Sequence, residues 1–211
     1  MYKYFIKIPW LVKKIFPNYV WNIKTGEKIV YLTFDDGPHS KVTPWVLEQL
    51  AQYNALATFF CIGDNVKQYP NLFNRILENG HAVGNHTQHH LNGWHTSEGD
   101  YLNDIKEAAH FIQSNLFRPP YGKIKRKQAK GVAGALRVID AKIIMWDVLS
   151  GDFDPSASEE ECLSNVLKNV SPGSIVVFHD SEKAFKNLEY VLPVVLKALQ
   201  KQGYRFEKIL F

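Results

Sequence analysis

IVYLTFDDGPHS, residues Ile29–Ser40, is the stretch on which the fold turns. A β-branched and aromatic run, 29–34, reads as a buried strand. It stops at two adjacent carboxylates, Asp35 and Asp36, followed by the breaker Gly37-Pro38. Neighbouring like charges repel, and successive side chains on a regular strand point to opposite faces. Both acids can serve one site only where the strand ends. The plain alternative for an isolated DDGP is a turn with two solvated acids.

Outward from this stretch, short apolar runs alternate with helical patterns. Residues 43–53 read as a helix with Thr43 as its cap and Pro44 at its first position. Strands are expected at 57–62, 81–86, 142–148 and 174–180, with a last one in YRFEKI near the C-terminus. Helices are expected at 69–80, 98–115, within 124–137, at 158–170 and at 188–203, the last kinked or delayed by Pro193. Such alternation implies a parallel sheet with crossover helices. About seven units in 211 residues fit a distorted, small or incomplete (β/α) barrel better than an open sheet. Residues 1–27 read as an N-terminal arm packed on one domain, 28–211.

With 25 Lys+Arg against 21 Asp+Glu, the net charge of +4 gives no ground for a nucleic-acid partner. Lys7, Pro9, Lys13 and Lys14 interrupt the apolar N-terminus, so neither a cleavable signal nor an integral membrane span is expected. A cytoplasmic location or one peripheral to the envelope follows. Cys61 and Cys162 form no CxxC and read as reduced and buried.

Residues with chemical potential recur where strands end: Asp35 and Asp36, His86 and His90, Arg118, Asp152, then His179 and Asp180. In barrels with outer helices, and in open parallel sheets alike, that rim holds the active site. In GNHTQHHLNG, His86 and His90 are four apart and would share a face on a turn of helix, with His89 competing. Two His and one carboxylate could hold a divalent ion with coordination positions left open for catalysis. If the ion takes one Asp, the other stays available as a base. His39, His81, His95 and His110 read as surface or local hydrogen-bonding groups, with His39 and His95 nearest the cleft. No GxSxG elbow argues for a serine esterase.

TFDDGP, NHTQHH, RPPYG, WDVLSGDFD and VVFHD occur in the order and rough spacing of the polysaccharide deacetylase family, the NodB-homology carbohydrate esterases of family 4. The resemblance covers about 28–208. It implies a distorted barrel, a metal-dependent hydrolase and an acetylated glycan as substrate. The reaction implied is removal of N-acetyl groups from chitooligosaccharide or peptidoglycan. The alternatives are a glycan O-acetyl esterase or a non-catalytic glycan-binding protein on the same fold. Asp35 resembles the family's catalytic base, and Asp36, His86 and His90 its metal set, with zinc expected first and cobalt, nickel or iron(II) next. Arg118 corresponds to the arginine that holds the base, and Tyr121 to the residue whose N–H faces the oxyanion. Asp152 resembles the acid that orients the catalytic histidine, His179. Phe153 replaces the family's usual Trp, and Val177 its Leu, so groove shape is where this chain is expected to differ.

Overall fold

The computed structural model describes residues 4–211, so residues 1–3 of the expected arm lie outside the described residues. The chain runs α1 (Trp10–Ile15), β1 (Ile29–Asp35), α2 (Val42–Gln52), β2 (Ala57–Cys61), α3 (Gly63–Gln68), α4 (Pro70–Glu78) and β3 (Ala82–Asn85). It continues through α5 (Glu98–Ala108), β4 (Leu116–Phe117), a 3-10 turn (Pro120–Gly122), α6 (Arg126–Leu136), β5 (Lys142–Ile143) and β6 (Val148–Leu149). α7 (Glu159–Leu167), β7 (Ile175–His179), α8 (Glu182–Lys201) and β8 (Arg205–Phe206) complete it.

The strands are parallel in the order β5-β4-β3-β2-β1-β7-β6, with β8 added at the start of β1. This is a curled, incomplete barrel. Both faces of β1 are covered, which is why it reads as a continuous apolar run. Val30, Leu32 and Phe34 face α2 and α8, packing with Val46, Leu50, Leu188, Leu192 and Val195. The alternate residues Tyr31, Thr33 and Asp35 point inward. Tyr31 joins Phe60, Ile144, Ile175 and Ile209 in the floor, and Asp35 tops the stack. The two-residue period of the strand thus delivers the carboxylate to the mouth.

The sheet is open between β5 and β6, and residues 6–22 lie along that gap. Ile8 N–H donates to Asp147 O, Leu149 N–H to Ile6 O, Val20 N–H to Ile143 O, and Met145 N–H to Val20 O. The inserted segment splits the expected strand 142–148 into β5 and β6. Buried Asp147 holds Lys7 at 2.6 Å and also binds Lys13 and the Ser174 hydroxyl. Burial opposes its charge, but these partners together hold its carboxyl below the usual range.

Three local expectations are corrected. Thr43 is not the cap of α2: its hydroxyl donates to Asp180, and the His39 ring accepts the Lys41 and Val42 N–H groups instead. α5 stops at Ala108, because the Phe111 and Ile112 N–H groups both turn back to its carbonyl and bury Ile112. α8 begins at Glu182 and runs through Pro193 without interruption. The carbonyl that Pro193 leaves unpaired belongs to Glu189, an exposed residue where water can serve. Cys61 and Cys162 are buried and form no disulfide.

Candidate metal-dependent active site

Asp35 ends β1, 4% exposed, and accepts from Arg118 Nη1 at 2.6 Å. Arg118 is fully buried, and its other contacts hold the fork in place. Nη1 also reaches Thr33 Oγ1 at 2.7 Å, Nη2 donates to Met145 O and Nε to Ile144 O. The guanidinium lies 4.0 Å over the Phe60 ring. Burial lowers its pKa from the usual value, and Asp35 counters that shift. Four of its five N–H groups are thereby paired, and each of its three nitrogens donates, as a buried charge requires.

Asp36 sits at φ 79°, the left-handed region, so the backbone turns at the strand end. That turn brings its carboxylate to the same mouth as Asp35, on which two neighbouring strand positions could not otherwise agree. Buried Asp180 secures the turn, accepting from Gly37 N–H at 3.1 Å and from the Thr43 hydroxyl at 2.6 Å. Burial pushes its carboxyl up to about 8, with repulsion from Asp36 in the same sense. A Cβ on Gly37 would stand 2.0 Å from Asp180 Oδ2, so only glycine fits.

His86 and His90 are not on a helix, contrary to the spacing argument. They lie on the loop after β3, where Thr87 and His90 have φ of 64° and 56°. Two buried groups pin that loop. Asn85 Oδ1 accepts from Thr87 N–H, and Asp104 on α5 accepts from the N–H groups of Gln88 and His89. Asp104 also binds the His89 ring at 2.5 Å, which takes His89 out of the contest. His86 Nδ1–H donates to Arg118 O at 2.7 Å, leaving Nε2 free as an acceptor.

The His86 and His90 Nε2 atoms lie 3.7 and 3.3 Å from Asp36 Oδ1. Burial, then the neighbouring His90, pulls His86 down to about 3; burial likewise lowers His90. Both rings are therefore neutral near pH 7. Asp36 Oδ1 is buried and has no hydrogen-bond partner. One ligand atom from each of the three residues falls within 4.8 Å of the other two. Two neutral imidazoles and an orphaned carboxylate oxygen suit a divalent ion such as zinc.

His179 ends β7 directly beside Asp35 in the β1–β7 register. Its ring Nδ1 lies 2.8 Å from Asp152 Oδ1, and its N–H donates to Asp152 Oδ2. Burial opposes the imidazolium, but Asp152, with Asp36 and Asp35 behind it, wins and raises His179 to about 9. Tyr121 occupies the 3-10 turn at φ 59°, with its ring 4.6 Å from that of His90. A cavity of about 500 Å³ joins Asp35, Asp36, His86, His90, Tyr121 and His179. Arg118 and Asp152 stand immediately behind it. The other histidines fall elsewhere: His39 caps α2 and His81 accepts the Ala57 N–H. Asp104 and Asp180 are the positioning groups that spacing alone did not single out. Asp180 was visible only as the neighbour of His179, and Asp104 only as an acid on the inner face of α5.

The sequence profile of the polysaccharide deacetylase family matches residues 22–135. The chain belongs to the polysaccharide deacetylase family. This family member is 37% identical over 195 residues to a peptidoglycan-N-acetylglucosamine deacetylase of Bacillus cereus, covering 88% of each chain. It is 30% identical over 209 residues to a chitooligosaccharide deacetylase of Azorhizobium caulinodans, covering 89% of this chain and 95% of the other. Among solved structures, the Bc1960 peptidoglycan N-acetylglucosamine deacetylase, bound to an N-oxidanyl-benzamide, superposes with a TM-score of 0.84. Its identity is 30%, over 93% of this deacetylase and 94% of the other chain.

Proposed function

We propose that this protein hydrolyses the N-acetyl group of a GlcNAc-type sugar within a glycan, chitooligosaccharide or peptidoglycan, releasing acetate. One observation carries the reading: Asp35, backed by Arg118, and His179, backed by Asp152, flank the orphaned Asp36 oxygen. Asp36, His86 and His90 would hold one divalent ion, zinc first among those the donors suit. When bound, the ion supplies a Lewis acid that acidifies water and polarises the acetamide carbonyl.

The remaining work falls to the chain's own groups. Asp35 takes the proton of the attacking water, and Arg118 keeps its carboxylate aimed. The Tyr121 N–H donates to the oxygen on which negative charge develops; losing such a donor costs about 10²–10³ in rate. His179 carries the proton to the departing nitrogen, which an amine needs and a free carboxylate could not give. Asp152 orients that ring and stabilises its protonated form. The hydroxamate form of the Bc1960 ligand is consistent with this reading, since N-hydroxy amides chelate metals.

The deciding experiment measures acetate from N-acetylated chitooligosaccharides and peptidoglycan fragments, before and after chelation and on adding back zinc. Zinc-restored acetate release supports the proposal. Release unaffected by chelation, or none in any metal state, defeats it.

A further inference from the structure

Each side of the mouth carries the same short series of groups. On one, the Phe153 ring stands 5.0 Å from that of His179 and 5.3 Å from that of Tyr4, and Lys183 Nζ lies 5.9 Å over Phe153. On the other, Tyr121 stands against His90, and Lys123 Nζ lies 6.0 Å over Tyr121 and 5.3 Å over Trp94. Both lysines line the cavity. A sugar placed for attack lies between His179 and His90, so its neighbours along the chain meet the two aromatic faces, with an ammonium above each.

Resting on the deacetylase reading, we propose that Lys123 and Lys183 select a glycan bearing carboxylates on the sugars flanking the acetamido sugar that is cleaved. Aromatic faces accept any sugar, because they offer packing without reading charge. The lysines add the discrimination, since a rim ammonium gains from a carboxylate and nothing from a neutral hydroxymethyl group. Among the described residues no carboxylate makes an ion pair with Lys183, although its charge helps hold the Asp154 carboxyl down. Asp154 accepts from the Tyr4 hydroxyl on one oxygen and from the Ser156 N–H and hydroxyl on the other. Tyr4 and Phe153 both line the same cavity.

The test uses an oligomer alternating N-acetylglucosamine and N-acetylmuramic acid, and the same oligomer with its lactyl carboxylates amidated. Size and linkage are then equal, and charge alone differs. The expected ratio of kcat/KM, acid over amide, is about tenfold at low salt, falling as ionic strength rises. In K123Q/K183Q, and in the charge-reversed K123E/K183E, the ratio should fall to one or below. A ratio under twofold in the unaltered zinc-loaded protein, or one retained in both variants, overturns the proposal. Absence of acetate from either oligomer would instead count against the hydrolase. The same acid-over-amide ratio, read as calorimetric Kd, would still decide the role of the lysines.

Discussion

Asp35 and His179 are register partners at the carboxyl ends of β1 and β7, and each has its own buried partner, Arg118 for the first and Asp152 for the second. A carboxylate held by a buried guanidinium and an imidazole raised to about 9 are thereby set on adjacent strands. Their separation is fixed by the sheet rather than by a loop.

The two neighbouring acids should part company under substitution. Asp36→Ala is expected to lose both metal and turnover, because it removes the unpartnered oxygen between His86 and His90. Asp35→Asn should keep the metal and lose about 10²–10⁴ in kcat. Metal content by mass spectrometry, set beside acetate release, distinguishes them, and normal turnover by Asp35→Asn would refute the assigned roles.

Arg118→Met should destabilise the fold by about 3–5 kcal/mol, since it strands a buried carboxylate. The double variant Asp35→Asn/Arg118→Met should recover part of that loss. Urea denaturation of the two singles and the double gives the coupling.

In chelator-treated protein, stability should decline on the alkaline side. His179 has a raised folded pKa, so its contribution is full below 6.5 and is lost as pH climbs through about 9. The amount is roughly 3 kcal/mol. Asp180, raised to about 8, loses its part earlier, between about 4 and 8. Subtracting the profile of Asp152→Asn isolates the His179 portion, and parallel profiles would contradict the assignment. His86, lowered to about 3, works at the other end: its contribution is present above 6.5 and fades as pH falls toward 3.

Gly37→Ala should weaken metal binding at least tenfold, because its new methyl meets Asp180 Oδ2 and displaces the turn that presents Asp36. Competition titration against a chromogenic chelator reads the change, and unaltered affinity would show that the turn can relax.

Asp147→Ala should free Lys13, leave Lys7 only the Asn169 carbonyl, and cost about 1–3 kcal/mol. Limited proteolysis should then cut ahead of β1 well before the rest of the domain opens. Simultaneous cleavage throughout would mean the segment is held by its backbone pairing alone.

Much of this site could be read from the chain because parallel strands deliver their last residues to one rim. Once 29–34 and 174–180 are read as strands, Asp35 and His179 must share an end. The histidine pair was harder. Four-residue spacing suggests a helix, but His86 and His90 converge through two left-handed residues on a loop tied down by Asn85 and Asp104. No local pattern announces that, since Asp104 lies on another element and looks like any polar helix residue. Asp180 was placed at the rim, but its role could not be read for a related reason: its partners, Gly37 and Thr43, are more than a hundred residues away. The split of 142–148 likewise depends on Val20, whose pairing exists only where the N-terminal segment lies along the open edge of the sheet.

The backbone laid along the gap between β5 and β6 begins, in the described residues, with a tyrosine at the mouth of the cavity, whereas Phe211 lies by Asn115, at the far pole of the barrel. A bulky label on Tyr4 would therefore crowd the mouth of that cavity, while one on Asn115 would stand clear of it. Proteins labelled at these two positions should process short oligomers alike and diverge on polymer.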